Sequence, residues 1–274
     1  MNAQVLVVLG AGGIGQAIAR RQGPGKTILL ADFDDTNLTA AADELRGAGH
    51  TVTTQPVDVA SRESVAALAA AAQALGPVVQ VVHAAGVSPV QATAQAVIAV
   101  DLVGTAIVLD EFGAVIAPGG SGIVISSMTG YMLPRDPGRD HQLAFAPTDE
   151  LLELPFLTPE SVPDSGAAYA LARRANHLRV QAASLRWGER GARVNSISPG
   201  IILTPLALDE MNGPGAEGYR RMIDASPARR IGTTDEVASA AAFLLGPEAS
   251  FITGTDLLVD GGVIPALRAG LPTG

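Results

Sequence analysis

The stretch "VLVVLGAGGIGQAIA", residues 5–19, sets a short apolar run against closely spaced glycines and then an alanine-rich segment. A continuous Val/Leu run of this length reads as a strand buried on both faces, and the segment that follows reads as a helix. Gly10, Gly12 and Gly15 fall at the junction in a G-x-G-x-x-G pattern. The first permits a tight turn, the second lets backbone approach a pyrophosphate, and the third lets helix and strand pack closely. The helix start, through Gly13 and Ile14, would turn backbone N–H donors and a positive dipole end toward phosphates.

Outward from this junction the same alternation runs to the end of the chain. Candidate strands lie at 4–9, 27–32, 51–59, 78–83, 122–127, 192–198 and 256–260, with helical segments near 14–22, 35–47, 61–75, 91–116, 166–189 and 234–245. Apolar strands with helical crossovers imply an α/β fold, one doubly wound (Rossmann) parallel sheet with helices on both faces. No composition break divides it, so residues 1–274 read as one dinucleotide-binding and catalytic domain. Two segments break the rhythm: an insertion at about 131–165 and a loop at about 199–232, both leaving the C-terminal ends of strands, where ligands bind.

The chain has 274 residues and is 47% hydrophobic, enough for a large core. Its net charge of −9 argues against nucleic acid or an anionic membrane as partner. No apolar run approaches a membrane span and no basic region precedes the first strand, so a cytoplasmic location is expected. Without cysteine there is no disulfide, thiolate metal site or thiol nucleophile, and no His/Asp/Glu grouping has metal-ligand spacing. Of the 18 basic residues only Lys26 is lysine.

Asp32 closes the second strand, where a carboxylate can accept from both ribose hydroxyls of an adenosine and would repel a 2′-phosphate. No arginine adjoins it, so NAD(H) is expected over NADP(H). Asp58, beside Val59 at the end of the third strand, suits either the adenine amino group or a cap on the helix starting near Ser61. His83-Ala84-Ala85-Gly86 ends the fourth strand in small residues that leave room for a cofactor ribose. His83 reads as packed rather than catalytic.

Downstream follow "GIVISSMTG", "AYALARRAN", "RVNSISPGIILTP" and "FITGTDLLVDGG". With "GAGGIG" and "HAAG" these make the chain resemble the short-chain dehydrogenase/reductase family over essentially residues 4–264. Within it the resemblance is greatest to bacterial members with a long insertion before the tyrosine, as in the 3α-hydroxysteroid dehydrogenase/carbonyl reductase group. The resemblance implies that Tyr169 gives or takes the hydroxyl proton while hydride passes between substrate and nicotinamide. It implies that Ser127 bonds the substrate oxygen, Ser126 facing the other side of its strand. It also implies that Pro199, Gly200, Ile202 and Thr204 hold the nicotinamide carboxamide.

Two positions depart from the family pattern. Where the family has lysine four residues after tyrosine, this chain has Arg173, and where it has asparagine the chain has Asp101. Arginine keeps the charge, but with a pKa above about 12 it does not relay protons readily. Asp101 near it would form an ion pair. Three readings stay open: alcohol–ketone redox chemistry, a non-redox lyase, isomerase or cyclase reaction in the same pocket, and a cofactor-binding protein of little activity.

Ser127 and Tyr169 are 42 positions apart, which places the insertion beside the site. Met128, Tyr131, Met132, Leu206 and Met211 are candidates to line an apolar substrate pocket, so a small apolar or cyclic alcohol or ketone is expected. The resemblance further implies a homodimer or homotetramer.

Overall fold

The computed structural model describes residues 3–158, 160–204, 207–208, 211 and 216–270. Seven parallel strands form one sheet: β1 (Gln4–Leu9), β2 (Lys26–Asp32), β3 (Thr51–Pro56), β4 (Val78–His83), β5 (Ile116–Ile125), β6 (Arg193–Pro199) and β7 (Asp256–Val259). Their spatial order is β3-β2-β1-β4-β5-β6-β7. Val5 to Leu9 are inaccessible on both faces, as expected for the central strand of a sheet covered on both sides.

On one face lie α3 (Arg62–Leu75), α5 (Thr105–Val115) and α7 (Ser165–Glu189). Leu68, Phe112, Val180 and Trp187 from these helices pack on Val5, Val81 and Val124. On the other face α1 (Gly13–Gln22) and α2 (Asp35–Gly47) bring Ile18, Leu38 and Leu45 against Leu6, Ile28 and Ile123. Val237 and Leu244 join the same layer from a helix at Thr234–Leu245. Every strand expected from the sequence is present, in a doubly wound order. The sheet leaves its C-terminal strand ends clustered around the β1–α1 turn.

Three local differences have physical causes. β3 stops at Pro56, which has no N–H for the ladder, so Asp58 and Val59 follow the strand rather than end it. β5 starts at Ile116, with a register shift between its pairs at Val78 and Gln80 that loops out the Pro-Gly-Gly stretch. The helix expected over 91–116 is α4 (Ala94–Val97), a π-helical segment Ile98–Gly104, then α5. The extra residue per turn is characteristic of functional sites, and this one carries Asp101.

The insertion is built, not loose. Helix α6 (Pro137–Phe145) is capped by Asp136, which accepts from the Arg139 N–H at 3.0 Å, and has Pro at its first position. Leu143, Leu151, Leu157 and Val162 are buried against Ala168, Leu171 and Ala175 of α7. After β6 come α8 (Ala216–Ala225), α9 (Thr234–Leu245, with a Thr233/Glu236 capping box) and α10 (Val263–Arg268). Among the described residues no helix is long and apolar enough to cross a membrane.

Candidate active site

The turn after β1 is tight for a definite reason. Gly10 has φ +100°, and a Cβ there would sit 2.4 Å from the Ala85 nitrogen, while a Cβ on Gly15 would meet the Gly10 oxygen at 1.9 Å. Nothing lies within 4 Å of a Cβ built on Gly12, which is the N-cap of α1 with no side-chain cap. The helix start is thus open to a ligand at the point where Gly12 would face a pyrophosphate. Asp32 accepts from the N–H of Ala11 at 2.6 Å, from that of Asp34 at 3.0 Å, and from the Asn37 amide at 3.2 Å. Asp34 caps α2 and Asp35 follows it, so the rim beside Asp32 is acidic. Those two carboxylates stand beside the one at Asp32, the single acidic group that the sequence placed there. Thr204 and Thr234 approach Gly13, at 3.7 and 3.4 Å from a Cβ built there, so the segment after β6 folds over the loop.

Asp58 is exposed and its carboxylate accepts from the Ala60 N–H at 2.9 Å, while Ser61 itself caps α3. The capping role is therefore corrected to Ser61. Val59 is buried against Gly104 of the π segment, with 3.0 Å from its Cγ2 to a Cβ built there. Ala84 donates to the Leu9 carbonyl at 2.7 Å, joining β4 to the glycine turn. His83 is buried with Nε2 3.1 Å from the Thr105 hydroxyl, which donates to the Asp101 carbonyl at 2.8 Å. Burial, then the Arg173 charge, lowers its imidazole to about 3, so it is a neutral packed group as expected.

The residues expected to do chemistry converge. The Arg173 guanidinium carbon stands 4.5 Å from the centroid of the Tyr169 ring. Nη2 pairs with the Asp101 carboxylate at 3.1 Å, and Nη1 donates to the Ile125 carbonyl at 3.3 Å. The other Asp101 oxygen accepts from the Val87 N–H at 2.9 Å. Both Arg173 and Asp101 are buried. Burial works against the Arg173 charge, but Asp101 and Tyr169 hold the guanidinium above its ordinary value, and it is charged. Burial raises the Asp101 carboxyl, offset in part by Arg173 and the Val87 N–H. Gly86 leaves room for this pair: a Cβ would lie 2.7 Å from Arg173 Nη2 and 2.9 Å from Asp101 Oδ1, so a larger residue would displace it.

Ser126 is buried and donates to the Arg173 carbonyl at 3.0 Å, which spends its hydroxyl on α7. Ser127 begins a 3₁₀ turn (Met128–Tyr131) and faces the same cleft as Tyr169 and Arg173. That cleft has a volume of about 350 Å³. Ile14, Ala84, Gly86, Pro199, Gly200 and Thr204 are among the residues that line it. Met128, Met132, Tyr219, Met222, Val87 and Pro89 give it apolar walls.

The expected substrate wall is corrected in part. Tyr131 turns away: its hydroxyl donates to Asp256 at 2.7 Å and it packs among Met128, Ile201 and Val263. Met211 is half-buried and does not line the cleft, and Tyr219 and Met222 of α8, which sequence reading missed, form that wall. Leu206 lies outside the described residues. A larger cavity of about 700 Å³ runs between α5, α7 and the end of α6, lined by Arg62, Asp110, Arg179 and Arg186 among others. It holds none of the converging groups, so the smaller cleft is the candidate site. Among the described residues no group of three His, Cys, Asp or Glu side chains could hold a metal ion.

A dinucleotide crevice opening on a serine, a tyrosine and a cation from one helix defines an oxidoreductase of the short-chain dehydrogenase/reductase family, and the chain belongs to it. The short chain dehydrogenase model matches residues 4–135 and the enoyl-(acyl carrier protein) reductase model residues 149–264. The chain is 46% identical over 269 residues to the short-chain dehydrogenase/reductase bsc3 of Alternaria brassicicola, covering 97% of this chain and 98% of that one. It is 28% identical to the 3-alpha-hydroxysteroid dehydrogenase/carbonyl reductase of Comamonas testosteroni, over 88% of this chain and 98% of that one. A short-chain type dehydrogenase/reductase from Mycobacterium ulcerans has the same fold, with a TM-score of 0.76 at 24% identity over 97% and 90% of the two chains. The family binds a nicotinamide dinucleotide and acts on small molecules.

Proposed function

We propose that this chain is an NAD(H)-dependent oxidoreductase that interconverts a secondary alcohol and a ketone on a small apolar or cyclic substrate. The observation that carries the reading is the Arg173 guanidinium stacked on the Tyr169 ring at the wall of a cleft that also receives Ser127. The open Gly12 turn and the acidic rim around Asp32 fit NAD rather than a 2′-phosphorylated dinucleotide. Gly10 to Gly15 would hold its pyrophosphate, Asp32 its adenosine ribose and Asp58 its adenine. Gly86 and Thr204 would flank its nicotinamide half. When bound, the cofactor supplies or accepts the hydride.

The chain's own residues do the rest. Ser127 donates a hydrogen bond to the substrate oxygen, fixing it beside the Tyr169 hydroxyl. Tyr169 gives its proton to that oxygen in reduction and takes it back in oxidation. Arg173 keeps a fixed positive charge against the Tyr169 ring, beside the hydroxyl that passes the proton. Asp101 holds the guanidinium in place and balances part of its charge. The three methionines exclude water while adapting to an irregular hydrocarbon outline. Residues 1–274 act as one unit, in a cytoplasmic homodimer or homotetramer, with Met132 of the insertion and Met222 of the loop after β6 at the cleft.

Calorimetric titration tests the cofactor assignment: NADH is expected to bind at least about 10-fold tighter than NADPH, a difference of about 1.4 kcal/mol. Equal affinities refute the role of Asp32. An NADH-linked screen of alcohols and cyclic ketones tests the reaction. A second reading has its own observation. Both Nη groups of Arg173 are engaged by protein acceptors, which favours a chain that binds the dinucleotide with weak or non-redox activity. Tight NADH binding without any NADH oxidation, or product formation without it, selects that reading.

A further inference from the structure

Behind the Ser127 turn, on the side away from the cleft, lies a buried polar cluster to which the chemistry above assigns no role. Asp256, at the start of β7, is its hub. One oxygen accepts from the Ser196 hydroxyl at 2.6 Å and from Ser198 at 3.0 Å, and the other accepts from Tyr131 at 2.7 Å. His177 of α7 places Nε2 2.8 Å from the Ser198 hydroxyl and 3.5 Å from Asp256. Ser198 spends its proton on Asp256, so the imidazole is the donor to Ser198. The Tyr131 and His177 rings meet at 5.0 Å, and Arg268 of α10 covers Tyr131 at 5.6 Å.

This cluster grips the turn that begins at Ser127. A Cβ on Gly130 would sit 2.6 Å from the His177 ring and 2.9 Å from the Arg173 carbonyl, so the turn lies directly on α7. Ser126 pins its start to the same carbonyl at 3.0 Å, and Tyr131 pins its end to Asp256. Three amides define the turn itself: Thr129 bonds the Ser127 hydroxyl, Gly130 the Ser127 carbonyl and Met132 the Thr129 carbonyl. Neither Tyr131, His177 nor Asp256 lines the cleft.

We propose that Asp256, Tyr131 and His177 are positioning residues that fix Ser127 against Tyr169 by clamping the turn between α7 and β7. The proposal rests on the reading of Ser127 and Tyr169 as the proton-handling pair. A displacement of about 1 Å at such a pair costs up to about 100-fold in rate, so a turn held from behind serves the chemistry as directly as a group that touches substrate.

Tyr131→Phe tests it, because the ring stays against His177 and only the hydroxyl is lost. Hydrogen exchange at the Thr129, Gly130 and Met132 amides is expected to quicken by about fivefold or more. With NADH and a reactive cyclic diketone, kcat is expected to fall about 10-fold while KM, NADH affinity and a thermal midpoint within about 3 °C are kept. In a Ser127→Ala background the same change is expected to cost nothing further, since the group it positions is gone. Wild-type exchange in Tyr131→Phe overturns the clamp, as does a loss that multiplies with Ser127→Ala. If the wild-type protein reduces no ketone, the redox reading fails on its own, and the exchange rates alone decide whether the turn is clamped.

Discussion

At the scale of single residues, Arg173 and Asp101 are where this chain departs from the family pattern, and they form a buried ion pair. The guanidinium is buried, charged and shared between the Tyr169 ring, the Ile125 carbonyl and the Asp101 carboxylate. Lysine would carry a compact charge that is free to exchange its protons, which a guanidinium is not. Arg173→Lys is therefore expected to raise kcat about 10-fold and to shift its pH optimum, measured as NADH oxidation over a panel of ketones. Unchanged turnover with good substrates would show the arginine to be fully adapted. The ion pair was legible from two departures in otherwise ordered motifs. Tyr131 was not, because its partner Asp256 lies 125 positions away and nothing in "SMTGYML" announces it.

At the scale of elements, the glycine turn, the strands and α7 were readable because apolar runs and glycine spacing express a single local geometry. The π segment was hidden, since Ile98 to Val115 is apolar on nearly every side and one extra residue per turn leaves no mark on such a pattern. Helix α6 could have been found from Asp136-Pro137, an N-cap followed by proline at the first helical position. The insertion's apolar clusters find their meaning only in contact with α7. Leu151 is fully buried there, so Leu151→Ala is expected to destabilise the protein by about 2–4 kcal/mol in urea unfolding, if the insertion is part of the cooperative unit. A change below about 0.5 kcal/mol would mean that it unfolds separately.

At the scale of the whole molecule, His83 and His177 make the fold sensitive to acid. Burial lowers both imidazoles, His83 to about 3 against an ordinary 6.5. The unfolded chain takes up protons near 6.5 that the native state refuses, so the unfolded state binds more protons in this window. Stability is fully present above about pH 6.5 and falls as pH drops toward 3, by up to about 1.4 kcal/mol per unit for His83. Thermal midpoints measured from pH 7 to 4 are expected to fall, and His83→Asn is expected to flatten the slope. An unchanged slope would show that other groups dominate.

The strand order has a consequence for manufacture on the ribosome. Strands β2 and β3 extend one edge from β1, β4 attaches to its free side, and β5, β6 and β7 are each added outermost. No strand has to wedge itself between two neighbours already in place, so the sheet can grow by simple accretion as the polypeptide emerges. The last strand delivered is β7, whose first residue is Asp256. A nascent chain cut short before residue 256 would carry the glycine turn, Tyr169 and Arg173 yet lack the partner of the Tyr131 hydroxyl.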